Sequence, residues 1–116
     1  MSDKPLVPTG PVVALNYSVA PENREALFRF LEEAIPFYER PGGIRVKLYE
    51  SADAPGTFLE LVAYASKDVY EADQFRVAND PEYKRVLSEW HKFFEGKLQV
   101  SRLMPVDLKS PAERSV

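Results

Sequence analysis

The middle of the chain reads IRVKLYESADAPGTFLELVAYA over residues 44–65. Apolar side chains alternate with polar or aromatic ones from 44 to 50, a period of two that is typical of a β-strand. Asp, Ala, Pro and Gly at 53–56 have turn chemistry, and a second alternating run follows at 57–65. We therefore predict a β-hairpin at the centre of the chain.

A strand and a helix are predicted before this hairpin. Residues 12–19 alternate as a strand, and apolar residues recur every three or four positions from 27 to 38, the spacing of an amphipathic helix. Asn23 is its predicted N-cap. Pro36 removes one backbone donor, so we expect the helix to kink or stop there.

Helical segments and a last strand are predicted after the hairpin. Ser66 is a plausible cap for one helix, and Asp80 followed by a proline begins another. Its apolar stripe runs to Trp90, and Gly96 is expected to end it. Residues 98–103 then read as the fourth strand.

The predicted order is strand, helix, strand, strand, helix, strand, the ferredoxin-like βαββαβ arrangement. It is an α+β fold in which a four-stranded antiparallel sheet carries its helices on one face. A chain of 116 residues suits a single domain. We expect residues 1–11 to form an N-terminal arm and residues 106–116 a C-terminal tail.

Strand alternation divides the predicted sheet into two faces. The helix-facing set is Val13, Leu15, Ile44, Val46, Leu48, Leu59, Leu61, Ala63, Leu98 and Val100. The opposite face carries Asn16, Ser18, Arg45, Lys47, Tyr49, Glu60, Tyr64, Gln99, Ser101, Val12, Phe58, Val62 and Leu103. Because a sheet face open to water is normally polar throughout, this mixture predicts that a second copy covers it, giving a homodimer.

Composition excludes several classes of function. Fifteen basic and eighteen acidic residues are interspersed, so no basic stripe for nucleic acid or anionic lipid is present. The absence of cysteine and the single histidine exclude disulfides, thiol chemistry and His-rich metal cages. With no signal-like or membrane-spanning apolar run, a cytoplasmic location is expected.

Several side chains on the predicted open face could carry function. Asn16 could hold a substrate oxygen or form a cross-strand hydrogen bond. Arg45 and Glu60 could orient an anionic ligand or form a structural ion pair. Tyr49 and Tyr64 suit a planar hydrophobic ligand.

His91 is expected to be partly buried and hydrogen-bonded beside Trp90 rather than catalytic.

Three segments carry a resemblance to a known superfamily. They are VVALNYSVAPE at 12–22, LVAYASKDVYEA at 61–72, and Asp80-Pro-Glu-Tyr83 leading to Trp90 and Leu103-Met-Pro105. They resemble the dimeric α+β barrel superfamily of antibiotic-biosynthesis-monooxygenase type, with features of its NIPSNAP branch.

The resemblance implies a barrel of two sheets and a ligand pocket between sheet and helices. It also implies catalytic roles for Asn16 and for Tyr64, which stands near the position of the superfamily's tryptophan. Asp73 or Gln74 falls where haem-degrading members have a histidine, so haem degradation is not expected.

The first hypothesis for function is a cofactor-independent monooxygenase-like enzyme for an aromatic or polyketide-type substrate. Asn16 and Tyr64 would be its catalytic residues, and Arg45, Tyr49 and Glu60 would bind the substrate, with no cofactor or metal. The alternative is a non-catalytic ligand-binding or stress-related homodimer.

Overall fold

A computed structural model describes residues 9–94, 96 and 98–108. Its elements, in chain order, are β1 (Val12–Ser18), α1 (Arg24–Glu39), β2 (Ile44–Glu50), β3 (Thr57–Tyr64), α2 (Lys67–Asn79), α3 (Pro81–His91) and β4 (Gln99–Leu103). A short 3-10 turn, Pro21–Asn23, precedes α1.

The four strands form one antiparallel sheet in the order β2-β3-β1-β4. The central hairpin pairs β2 with β3, and β1 lies between β3 and β4. This is the predicted ferredoxin-like α+β fold.

All three helices begin directly after the residue predicted as their N-cap. The Ser66 hydroxyl accepts from the backbone N–H of Val69, and the Asp80 carboxylate accepts from that of Glu82, so both caps are confirmed. Asn23 occupies the cap position of α1 but its side chain makes no capping hydrogen bond.

Of the two outcomes expected at Pro36, a kink or a stop, the stop does not occur, because α1 continues to Glu39. A proline inside a helix costs about 3 kcal/mol. The next two residues, Phe37 and Tyr38, are buried, and each stabilises the fold by about 1.5–3 kcal/mol. Their burial offsets the lost backbone hydrogen bond.

The predicted face assignment of β3 is also wrong. Leu15 lies opposite Glu60, and Tyr17 lies opposite Phe58. Directly opposed residues of an antiparallel pair share one face, so the helix-facing side chains of β3 are Phe58, Glu60, Val62 and Tyr64. The other face carries Leu59, Leu61 and Ala63.

Two aromatic-rich clusters form the core between the sheet and the helices. The first contains the buried residues Tyr17, Val19, Leu27, Leu31, Phe58 and Trp90. The second joins α1 to α3 through Ala34, Phe37, Tyr38, Tyr83 and Val86.

The described part of the N-terminal arm is paired with the end of β3. The backbone N–H of Gly10 donates to Tyr64, and that of Tyr64 donates to Pro11. A Cβ atom on Gly10 would lie 2.7 Å from backbone atoms of Ser66, so the close approach requires glycine. Residues 1–8 lie outside the described range.

The C-terminal side differs from the prediction in one boundary. Helix α3 ends at His91 rather than near Gly96. Residues 104–108 follow β4 as exposed chain without regular structure, and residues 109–116 of the predicted tail lie outside the described range.

Candidate functional site

A cavity of about 120 Å³ lies between the sheet and the helices. Its walls come from all three helices and from β1, β3 and β4: Val13, Leu15, Tyr38, Glu60, Val62, Tyr64, Asp73, Gln74, Val77, Tyr83, Leu87, Trp90 and Arg102. Most of this lining is apolar or aromatic, as in small-molecule sites generally.

Glu60 places a carboxyl group on the sheet side of this cavity. It is 2% exposed, and its Oε1 atom accepts a hydrogen bond of 2.8 Å from the Tyr17 hydroxyl. Burial raises the pKa of Glu60 above its usual range, and the Tyr17 hydrogen bond opposes the shift. A buried carboxyl inside a cavity can exchange a proton with a bound ligand.

A second buried carboxyl, Asp73, lines the cavity from α2. It accepts a hydrogen bond of 2.6 Å from the Tyr64 hydroxyl and lies 3.3 Å from the Arg76 guanidinium. Burial raises the pKa of Asp73, while Tyr64 and Arg76 both lower it. Because its hydrogen bonds and its charge are already matched, Asp73 has a structural role in the wall.

Trp90 of α3 brings an indole N–H to the cavity. Its Nε1 atom is buried and makes no hydrogen bond of standard geometry to a described residue, although the Tyr17 hydroxyl lies close enough to interact with it. The indole ring packs edge-on against Tyr17, at 5.2 Å between centroids, and against Phe94. A buried donor without an acceptor is costly, and an oxygen atom of a bound ligand could satisfy it.

Gln74 on α2 and Arg102 on β4 add polar groups to the lining. Arg102 lies opposite Val13 of β1, which is also a lining residue. Arg102 itself is exposed, so it marks the side where the cavity meets solvent.

The five site residues predicted from sequence separate onto the two faces of the sheet. Glu60 and Tyr64 line the cavity. Asn16 lies opposite Leu59, on the face away from the helices. Arg45 and Tyr49 are exposed on that same face, opposite Ala63 and Leu59.

The predicted arrangement of Arg45 and Glu60 is therefore wrong. The two side chains lie on opposite faces, so they neither form an ion pair nor orient one ligand together. Asn16 and Tyr49 instead share a shallow groove on the open face near the hairpin loop, with Thr57 and Leu59.

The structure also corrects the environment of His91. It is exposed, whereas partial burial was expected. Its ring lies beside Trp90 and Phe94, at 5.1 and 5.4 Å between centroids, and it does not line the cavity.

Sequence reasoning missed three lining residues as components of a site. Trp90 was assigned only to an apolar stripe, Asp73 only to a position suggested by resemblance, and Arg102 to no role. Assigning the correct face of β3 to the core would have pointed to the site, because that assignment places Glu60 among buried aromatic residues.

No described helix is long and apolar enough to cross a membrane. Within the same residues, no group of three His, Cys, Asp or Glu side chains is arranged to hold a metal ion.

Comparison by sequence yields no matching protein-family model and no matching curated protein. Comparison of structures does yield matches. Rv0793 from Mycobacterium tuberculosis is 24% identical with a TM-score of 0.67, and the match covers 87% of this chain and 99% of that chain.

Two further solved structures link the fold to oxygenases and to NIPSNAP proteins. SnoaB, a cofactor-independent oxygenase from Streptomyces nogalater, has a TM-score of 0.67 at 10% identity over 89% of this chain and 98% of that one. An uncharacterized NIPSNAP domain protein from Burkholderia xenovorans has a TM-score of 0.64 at 13% identity, and the match covers 83% of this chain and 94% of that chain.

The chain has the antibiotic-biosynthesis-monooxygenase-like fold. An antibiotic biosynthesis monooxygenase also shares it, with a TM-score of 0.65 at 11% identity. The resemblance seen in the sequence is therefore confirmed for the fold, and identities this low carry the fold alone.

Proposed function

We propose that this protein binds a small aromatic molecule in the cavity between sheet and helices and acts on it as a cofactor-independent oxygenase. The observation that carries the proposal is Glu60, a buried carboxyl with a raised pKa in an aromatic cavity. Perturbed acids in apolar pockets are typical of proton-transfer sites.

The size of the cavity limits the substrate. An apolar cavity of roughly 150 Å³ holds one benzene molecule, whereas sites for larger ligands span about 300–1,000 Å³. At about 120 Å³, the cavity suits a single aromatic ring. We therefore favour a single-ring substrate over a fused polyketide.

The proposed chemistry begins with proton transfer. Glu60 removes a proton from a CH₂ group beside the ring, and the resulting anion transfers electrons to O₂. The CH₂ becomes a carbonyl with one oxygen atom of O₂, and the other leaves as water with the two hydrogens. The Trp90 N–H would hydrogen-bond an oxygen that develops negative charge.

A non-catalytic ligand-binding protein is the second candidate. It is favoured by the position of Asn16, which the resemblance makes catalytic but which lies on the sheet face away from the cavity. The same lining would then bind an aromatic ligand without transforming it.

The test has a binding arm and a turnover arm. Trp90 is the only tryptophan of the chain, so its indole N–H signal in NMR reports occupancy of the cavity. We expect phenol to shift this signal saturably, and an unchanged signal at the highest soluble phenol concentration would overturn the proposal.

Oxygen uptake with single-ring phenols carrying an activated CH₂ group separates the two candidates. We expect Glu60→Gln to bind phenol as the parent does and to lower oxygen uptake about 100-fold or more. Equal uptake by Glu60→Gln and the parent would contradict the role of Glu60. Phenol binding without any uptake would establish the non-catalytic alternative.

A further inference from the structure

The cavity carries an uncompensated positive charge at its solvent side. Three charged residues line it: Glu60, Asp73 and Arg102. Asp73 is paired with Arg76, and the Glu60 carboxyl is buried on the sheet side, where it accepts a hydrogen bond from the Tyr17 hydroxyl. None of the ion pairs formed between described residues includes Arg102.

The strand geometry directs this charge toward the cavity. Arg102 lies directly opposite Val13, and Val13 and Leu15 form the floor of the cavity on β1. Its neighbours Ser101 and Leu103 belong to the other face of the sheet, by alternation. Arg102 is therefore the β4 residue that a ligand in the cavity would meet.

We propose that the ligand is a single-ring aromatic carboxylate, with its ring against Trp90 and its carboxylate on Arg102. The proposal rests on the proposed function and names the substrate class of the same cavity. A guanidinium forms two parallel hydrogen bonds to a carboxylate, which gives both affinity and orientation.

A second lining residue supports an acidic ligand over a neutral or cationic one. The Gln74 side chain offers amide N–H donors in the same lining, and it can complete the shell of a carboxylate. A cationic ligand would face the unpaired guanidinium, and like charges in a partly desolvated site repel.

The experiment compares benzoate with benzamide, which has the same ring but no charge. Both are titrated into the protein while the Trp90 indole signal is followed. We expect benzoate to bind the parent more tightly, and Arg102→Met to raise its Kd about tenfold. Benzamide affinity should change less than about twofold.

The control is Arg85→Met. Arg85 lies on the exposed side of α3, where it pairs with Glu89, so this variant removes one positive charge from the same protein away from the cavity. We expect it to leave both Kd values unchanged. Arg102→Lys keeps the positive charge but lacks the planar guanidinium. Its Kd for benzoate should lie between those of the parent and of Arg102→Met.

The outcomes distinguish this inference from the proposed function. If phenol and benzamide bind but benzoate binds no better, or Arg102→Met leaves the benzoate Kd unchanged, the carboxylate assignment is wrong and the cavity still binds aromatic rings. A parallel loss of benzamide affinity in Arg102→Met would also overturn it. If phenol, benzoate and benzamide all leave the indole signal unchanged, the proposed function itself fails.

Discussion

Glu60 is the buried carboxyl on which the proposed function depends. It interrupts an otherwise apolar helix-facing row on β3, and it is nearly inaccessible to solvent. Its hydrogen-bond partner in the described structure is Tyr17, a neutral donor. Burying a carboxyl without a cation costs stability when the group ionises.

The first prediction concerns Glu60→Gln and pH. Because the folded-state pKa of Glu60 is raised, its protonated form contributes stability that is fully present below the ordinary glutamate pKa of about 4.3. That contribution is lost as pH rises through the folded-state pKa. Glutamine keeps the acceptor for Tyr17 without ionising. The variant should therefore raise Tm relative to the parent at about pH 8 and much less at about pH 4.

Thermal unfolding across this pH range measures the difference. Glu33→Gln is the matched control, since Glu33 is exposed on α1, and it should not change the pH profile. Asp73 also has a raised pKa, so some pH dependence of the same sign remains in Glu60→Gln. A Tm difference that grows toward acidic pH would contradict the burial argument.

Helix α2 has few buried side chains, and polar contacts help to hold it to the protein. Asp73 is its one buried residue among those described, and Phe75 is 70% exposed. Arg76 reaches across to α1, where it donates to the backbone carbonyls of Phe37 at 2.6 Å and Tyr38 at 3.2 Å. It therefore closes the α1 C-terminus, where carbonyls lack helical partners.

The Arg76 guanidinium also lies over two aromatic rings. Its carbon is 4.8 Å from the Phe37 centroid and 4.7 Å from the Tyr83 centroid, within the range of cation–π attraction. One side chain thus links all three helices around the cavity wall.

The second prediction is that Arg76→Met destabilises the protein by about 3 kcal/mol, because it leaves the buried Asp73 carboxylate without its cation. Urea unfolding measures this loss, and hydrogen exchange should show faster exchange in α2 than in the sheet. Adding Asp73→Asn should recover part of the stability, since the uncompensated charge is then gone.

Arg85→Met is the comparison for this variant. Its ion pair with Glu89 is exposed on the surface of α3, and such pairs contribute about 0–1 kcal/mol. Equal effects of the two arginine substitutions would refute the view that Arg76 anchors α2.

The whole molecule exposes one sheet face that is part apolar. By strand register, the apolar side chains on it are Val12, Ala14, Leu59, Leu61, Ala63 and Leu103. Leu103 is half exposed, and the others are half-buried. If each side chain contributes about 1 kcal/mol on complete burial, two copies gain roughly 12 kcal/mol, against an association cost of about 4–15 kcal/mol.

The third prediction follows from that balance: the protein is a homodimer that pairs through this face, and Leu61→Glu makes it monomeric. Leu61 lies opposite Ala14 and Lys47, in the centre of the face. A carboxylate there would lie beside Lys47, but both charges would have to be desolvated in the dimer, which costs more free energy than their attraction returns. Sedimentation at several concentrations measures the oligomeric state.

Phe75→Glu provides the control, because it makes an apolar-to-acidic change on the exposed side of α2. It should leave the oligomeric state unchanged. A parent protein that sediments as a monomer at high concentration would refute the dimer.

The candidate site could be predicted from the sequence only in part, because its residues come from distant parts of the chain. Glu60 and Tyr64 could be recognised by residue type, but their partners Tyr17 and Asp73 are 43 and 9 residues away. Arg102 of β4 and Trp90 of α3 both line the cavity, because the tertiary structure brings this strand and this helix to its walls. No local pattern encodes that proximity.

The sequence alone determined the order of the elements, the central hairpin and the two side-chain caps. These depend on local periodicity, turn residues and capping, which act within a few positions of the chain. Only the tertiary structure decided which face of β3 is buried. Both faces of β3 carry apolar residues, so alternation alone does not say which one is buried. The register of β3 with β1 and β2 decides this, and the hydrogen bond from Tyr17 to Glu60 stabilises the result.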